Sequence, residues 1–208
     1  MRKLVVATFL TVDGVMQSPG GPEEDRQGGF ELGGWGVTAW DEEMGRRSLE
    51  QHLRPDALLL GRRTYEIFAA HWPRVGADHE HSAIAVKLNT MPKYVASRTL
   101  DRLEWNNSTL LDGDLPEAVA ELKVEPGTEI LCIGSGNLIQ SLMQHDLVDE
   151  YILWTFPVII GRGARLFADG AVPAGLRLVE TKGFGTGVVV NTYGRAGAPE
   201  IGSFLLEE

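Results

Sequence analysis

Two short stretches of this chain put glycines where apolar runs end, one of them with two arginines beside it. The run DALLLG (56–61) gives way to Gly61-Arg62-Arg63-Thr64, and the run TEILCIG (128–134) gives way to Gly134-Ser135-Gly136-Asn137-Leu138. A third run, PKYVAS (92–97), ends in Ser97-Arg98. Glycine lacks a Cβ, so backbone N–H groups beside it can approach a ligand closely. A helix that starts there adds free N–H groups and the positive end of its dipole, which suits a pyrophosphate. Arginines bind a further phosphate through forked, charge-assisted hydrogen bonds. The formal net charge is −10, so arginines clustered at strand ends stand out as a local anion site. Each element also has a plain structural reading. Gly134-x-Gly136 serves equally as a tight turn, since position 139 is Ile and the third glycine of the dinucleotide fingerprint is missing. Arg62 and Arg63 serve equally as solvated helix-start residues.

Other chemistry is weaker. His71, His79 and His81 lie near Asp78 and Glu80 in HWPRVGADHEH, but their spacing matches no zinc pattern, and a solvated loop without metal is expected. The single cysteine, Cys132, sits inside an apolar run and reads as a small core residue. There is no Gly-x-Ser-x-Gly elbow and no Tyr-x-x-x-Lys pair.

The elements that must position these residues follow from pattern. With 208 residues, 43% hydrophobic and 23% charged, the chain suits one domain with a substantial core. Strands are expected at 3–10, 56–61, 92–97, 107–111, 128–134 and 149–160, and a hairpin at 176–184 and 187–195 turning at Gly185-Thr186-Gly187. Helices are expected at 39–53, 62–70, 115–123 and 136–148, the first with Met44, Leu49 and Leu53 near one face. Alternating strands and helices imply a mostly parallel sheet covered on both faces, and the strand-rich end implies antiparallel additions to it. Ligands in such sheets bind beyond the carboxyl ends of the parallel strands, where the three arginine- and glycine-bearing stretches fall. The acidic balance argues against nucleic-acid binding, and no apolar run approaches a membrane span. The N-terminal MRKLVVATFLTVDG reads as a buried first strand rather than a signal peptide, so a cytoplasmic protein is expected. QSPGGPEEDRQGGFELGGWG (17–36) is too glycine-rich for a helix or strand and too long for an ordinary connection.

Taken together, TVDGVMQ (11–17), GPEEDRQGGFELGGW (21–35), LLLGRRTYE (58–66), KYVASRTL (93–100), ILCIGSGNLIQSLMQHDLVDEYIL (130–153) and PVIIGRGARLF (157–167) resemble the dihydrofolate reductase-like superfamily. Within it the chain is similar to the reductase domain of riboflavin-biosynthesis deaminase-reductases, without the deaminase half. The resemblance implies a three-layer α/β/α sandwich and NADPH as cofactor. It implies that Gly61, Arg62, Arg63, Thr64, Ser97 and Arg98 lie at the adenosine and 2′-phosphate side, and that Gly134, Ser135, Gly136, Asn137 and Leu138 receive the pyrophosphate. It further implies hydride transfer to a C=N or C=O carbon of a small heterocycle, as in 5-amino-6-(5-phosphoribosylamino)uracil reductase or dihydrofolate reductase, and a homodimer. The counterpart of the 17–36 stretch closes over the nicotinamide, so this stretch is expected to be an active-site lid pinned by its aromatics.

A proton donor is then needed. Asp41 is the first candidate and Asp13 the second, although Asp41 also fits a helix-start carboxylate and Asp13-Gly14 a simple turn. Phe30 and Trp35 fit either substrate stacking or core anchoring. A nucleotide-binding sensor or scaffold without turnover, and a structural homo-oligomer with a vestigial pocket, are the alternatives of another class.

Overall fold

The computed structural model describes residues 1–167 and 171–204. Its centre is a buried strand, β1 (Lys3–Thr11), in which Leu4, Val5 and Val6 are wholly shielded. The remaining elements in chain order are α1 (Glu42–Leu53), β2 (Ala57–Gly61), α2 (Arg62–His71), α3 (Ser82–Thr90), β3 (Lys93–Ala96), β4 (Ser108–Leu110), α4 (Leu115–Val124), β5 (Glu129–Ile133), α5 (Gly136–Gln144), β6 (Glu150–Phe156), β7 (Gly175–Gly183) and β8 (Val189–Gly197). They form one eight-stranded sheet in the order β4-β3-β2-β5-β1-β6-β8-β7. Strands β4 through β6 run parallel, and β8 and β7 are antiparallel additions. The expected mixed α/β sheet is therefore the observed one.

Side chains alternate along each strand, so the sheet divides the core in two. One face carries Val5, Ala7, Leu58, Leu60, Leu131 and Trp154 against Met44 of α1 and Ile84 and Leu88 of α3. The other carries Leu4, Val6, Leu59, Ile130 and Cys132 against Val119 of α4 and Leu138, Ile139 and Leu142 of α5. Burial pushes the Cys132 thiol up to about 12, which makes it inert. Lys93 is fully buried in β3, where its Nζ donates to the Leu88 and Met91 carbonyls at the end of α3 and lies 4.4 Å from the Trp105 ring centre. Burial lowers its pKa to about 8.

Several boundaries differ from the sequence expectation. Strand β6 stops at Phe156 rather than 160, because Pro157 has no N–H for the ladder; Ile160 and Gly161 give their N–H groups to the Asp13 carboxylate instead. Helix α5 stops at Gln144, and Asp146 just beyond it adopts a left-handed φ of 56°. Helix α3 is absent from the sequence expectation; Lys93 closes its end through contacts invisible in the local pattern. On α1 the inward face is Met44, Ser48, Gln51 and His52, while the expected Leu53 is 49% exposed. The reason is polar: Gln51 Oε1 accepts the indole N–H of buried Trp154 at 2.9 Å. Among the described residues no helix is long and apolar enough to cross a membrane.

Candidate active site

Strands β2 and β5 are neighbours, so the helices that follow them, α2 and α5, start side by side at the carboxyl edge of the sheet. Ser135 ties the two junctions together. Its Oγ accepts the Gly61 N–H at 2.9 Å and donates to the Ile133 carbonyl at 3.0 Å, and its own N–H donates to Thr64 Oγ1 at 2.9 Å. Gly134 has φ +57°, and a Cβ there would lie 2.9 Å from Thr64 Oγ1, so only glycine fits. Neither helix has a side-chain cap, whereas α1 and α4 are capped by Asp41 and Asp114. The first-turn N–H groups of α2 and α5 thus have no capping side chain.

Both helix starts open into a cleft of about 2220 Å³. Gly61, Arg62, Arg63, Thr64, Ser97, Arg98, Gly134, Ser135, Gly136, Asn137 and Leu138 all line it. Arg62 donates to Thr99 Oγ1 at 2.6 Å and pairs with Glu66 at 2.9 Å. Ser97 Oγ accepts the Thr99 and Leu100 N–H groups and holds that turn beneath Arg62. Arg98 is exposed and has no ion-pair partner among the described residues. Arg63 reaches across the cleft to Asp25 of the 17–36 loop at 2.5 Å.

That loop is folded on itself. Gln17 donates to the Asp25 and Gln27 carbonyls, Ser18 Oγ donates to the Gly21 carbonyl and accepts the Asp25 N–H, and the Trp35 indole donates to the Gln17 carbonyl at 2.8 Å. Gly33 packs so tightly that a Cβ would meet Gly21 O at 2.5 Å. Phe30 is buried where Gly163 and Val15 meet, and Trp35 sets its edge on Phe156 with ring centres 5.4 Å apart. Both are anchors inside the loop, and neither lines the cleft.

The two carboxylate candidates part company. Asp41 lines the cleft, and its Oδ1 accepts the Met44 N–H at 2.8 Å as the cap of α1. Asp13 lies outside the cleft lining and accepts from Thr11 Oγ1, the Ile160 and Gly161 N–H groups and Arg165. The Thr11 hydroxyl and then the Ile160 N–H hold its carboxyl well below the ordinary value of 3.8. Asp13 fastens two loops and is unsuited to donating a proton.

The half of the cleft between α1 and α2 is lined by Leu49, His71 and His81 and by Trp40, Ser48, His52, Phe68 and Trp72, of which the last five carry no role in the sequence reading. Trp40 stacks on Trp154 at 5.9 Å, and Trp154 on Phe184 at 5.8 Å. The available signal is the run of polar residues Ser48, Gln51 and His52 at helical spacing on a face that must be buried. In the 71–81 segment the His79 and His81 rings lie 5.2 Å apart, and among the described residues no group of three or more His, Cys, Asp or Glu is placed to hold a metal.

Comparison with known proteins agrees with this architecture. The chain is 27% identical over 192 residues to YyaP of Bacillus subtilis (strain 168), an uncharacterised protein, covering 92% of this chain and 94% of that one. It is 30% identical over 141 residues to the uncharacterised YwjB of the same organism, covering 68% of this chain and 74% of that one. Among solved structures it superposes on a putative riboflavin biosynthesis protein from Shewanella sp. PV-4 with TM-score 0.69 and 20% identity, covering 93% and 99% of the two chains. A pyrimidine reductase-like protein from Corynebacterium diphtheriae gives TM-score 0.60 and 13% identity over 94% and 92%. Dihydrofolate reductase from Enterococcus faecalis, complexed with NADP(H) and RAB-propyl, gives 0.56 and 15% over 93% and 96%. The family described as the RibD C-terminal domain matches residues 2–190, nearly the whole chain, and the protein belongs to that family of reductase-type domains.

Proposed function

We propose that the protein is an NADPH-dependent reductase acting on a C=N or C=O group of a small nitrogen heterocycle. The observation that carries this reading is the pair of uncapped helix starts, α2 and α5, locked together by Thr64 and Ser135 in a cleft that also holds Arg62, Arg63 and Arg98. Such a set suits a pyrophosphate with a further phosphate nearby. The Gly134–Leu138 segment would take the pyrophosphate, and Gly61–Thr64 with Ser97 and Arg98 the adenosine and 2′-phosphate. Bound NADPH supplies the hydride. The chain orients it through these contacts, and the 17–36 loop excludes water from above. Asp41 spends one oxygen on its cap, so its second oxygen holds the proton-delivering water or a substrate N–H. The family and the fold shared with an NADP(H)-bound dihydrofolate reductase support the reading.

Homodimerisation belongs to the same proposal, supported by the outer edge of β7, which is unpaired among the described residues.

Titration with NADPH and NADH, followed by nicotinamide fluorescence, tests the cofactor assignment. NADPH is expected to bind the more tightly. G134A, whose new Cβ collides with Thr64, should weaken NADPH binding at least about tenfold, as should R63Q, because each removes charge-assisted or N–H contacts to phosphate. No NADPH binding at high micromolar concentration, or equal affinity for NADH, rules the assignment out. NADPH consumption against pools of pterins, flavin precursors and cyclic imines then separates a reductase from a nucleotide binder without turnover.

A further inference from the structure

The cleft is larger than the roughly 300–1,000 Å³ of a single small-ligand site. Its α2–α5 end has the cations and helix starts. Its α1 end has instead Trp40, Phe68 and Trp72 as flat walls, with Ser48, His52 and His81 among the polar groups between them. His52 has a ring tautomer that the structure fixes. Its Nδ1 lies 2.7 Å from the Ser48 carbonyl, one helical turn back. A carbonyl can only accept, so Nδ1 carries the proton and Nε2 keeps its lone pair. The residue is 7% exposed and lines the cleft, and its Nε2 has no protein partner among the described residues. Burial, with a smaller contribution from His81, lowers its pKa, so the ring stays neutral near pH 7. His145 makes the same backward bond to Ser141 on α5 but is exposed, where water satisfies its other nitrogen. His52 instead lines the cleft, so its partnerless Nε2 is an acceptor available to a donor that enters there.

Resting on the reductase reading for the identity of this compartment as the substrate's, we propose that His52 Nε2 is the hydrogen-bond acceptor that selects a planar heterocycle bearing a ring N–H. Trp40 supplies a face for the ring, held in place by its stack on Trp154. Ser48 acts as a positioning residue, because its carbonyl sets the tautomer of His52.

The test uses 2,4-dioxopteridine and its 1,3-dimethyl derivative, which has no ring N–H, titrated calorimetrically with and without NADPH. Wild-type protein is expected to bind the unmethylated compound about tenfold more tightly, the worth of one buried hydrogen bond. H52N keeps a donor for the Ser48 carbonyl but has no atom at the Nε2 position, and should bind both compounds alike. H52Q, which reaches further, should recover part of the preference. Long-range proton–nitrogen spectra of the wild type, which need no variant to fold, should show His52 as the Nδ1–H tautomer with an Nε2 signal that moves on adding the probe. Equal binding of both compounds by wild type, binding of neither, an immobile Nε2 signal, or an undiminished preference in H52N overturns the proposal. NADPH fluorescence is read in parallel and should be unchanged in H52N. Loss of NADPH binding with the heterocycle preference intact would overturn the reductase reading and leave His52 in place.

Discussion

Asp13 spends its whole carboxylate within the chain, on Thr11, Ile160, Gly161 and Arg165. Those donors favour the charged form and hold its folded pKa below the ordinary 3.8. A depressed folded value contributes stability that is fully present above the unfolded value and is lost as pH falls below it toward the folded one. D13N is therefore expected to melt below wild type at pH 7, with the gap narrowing as pH falls from 5 to 2. Thermal melts across that range check this, and a gap independent of pH would contradict it. From the sequence, Asp13-Gly14 reads as either a turn or an acid. The turn reading and the Thr11 hydroxyl are local and legible, whereas the Ile160, Gly161 and Arg165 donors arrive from about 150 positions away and no local pattern announces them. His52 escapes pattern reasoning for a similar reason, because its meaning depends on a cleft wall made by α2 and the 71–81 segment.

At the scale of elements, the 17–36 loop is the feature with most consequence. Its glycine content suggests freedom, yet Gln17 and Ser18 fold it inward and Phe30 and Trp35 pin it. Among the described residues its tie to the far wall is the Asp25–Arg63 ion pair at 2.5 Å. If Arg63 receives the 2′-phosphate of NADPH, Asp25 must first give it up. D25N should then bind NADPH up to about fivefold more tightly, the upper range for an exposed ion pair, with NADH affinity unchanged. It should also be cut faster by protease between 20 and 33. Fluorescence titration and a digestion time course read both; unchanged NADPH affinity would show that Arg63 is not the phosphate partner. The loop's place between the first strand and the first helix is legible in the sequence. Its latch is not, since a salt bridge between Asp25 and Arg63 is decided by where α2 starts.

At the scale of the molecule, the sheet ends in β7, which among the described residues pairs with β8 alone. Leu178 and Val179 are 50% and 52% exposed, so this strand shows apolar side chains as well as unpaired backbone groups. A free edge of that kind invites pairing with a second copy. Sedimentation velocity is expected to show a dimer for wild type and a monomer for L178E/V179E, with NADPH binding retained because the cleft lies on the far side of β1 at β2 and β5. A monomeric wild type would remove the dimer from the proposal.

The sequence by itself determined the alternation of strands and helices, the mixed sheet and the glycine–arginine stretches at the strand ends, because hydrophobic period and glycine placement act over a few residues. Tertiary structure decided the rest. It chose the polar face of α1 by giving Gln51 a buried indole to accept, and it left α2 and α5 uncapped side by side by making β2 and β5 neighbours. It separated Asp41, at the cleft, from Asp13, in the loops. Each of these depends on contacts between residues distant in the chain, where energies of burial and hydrogen bonding outweigh local preference.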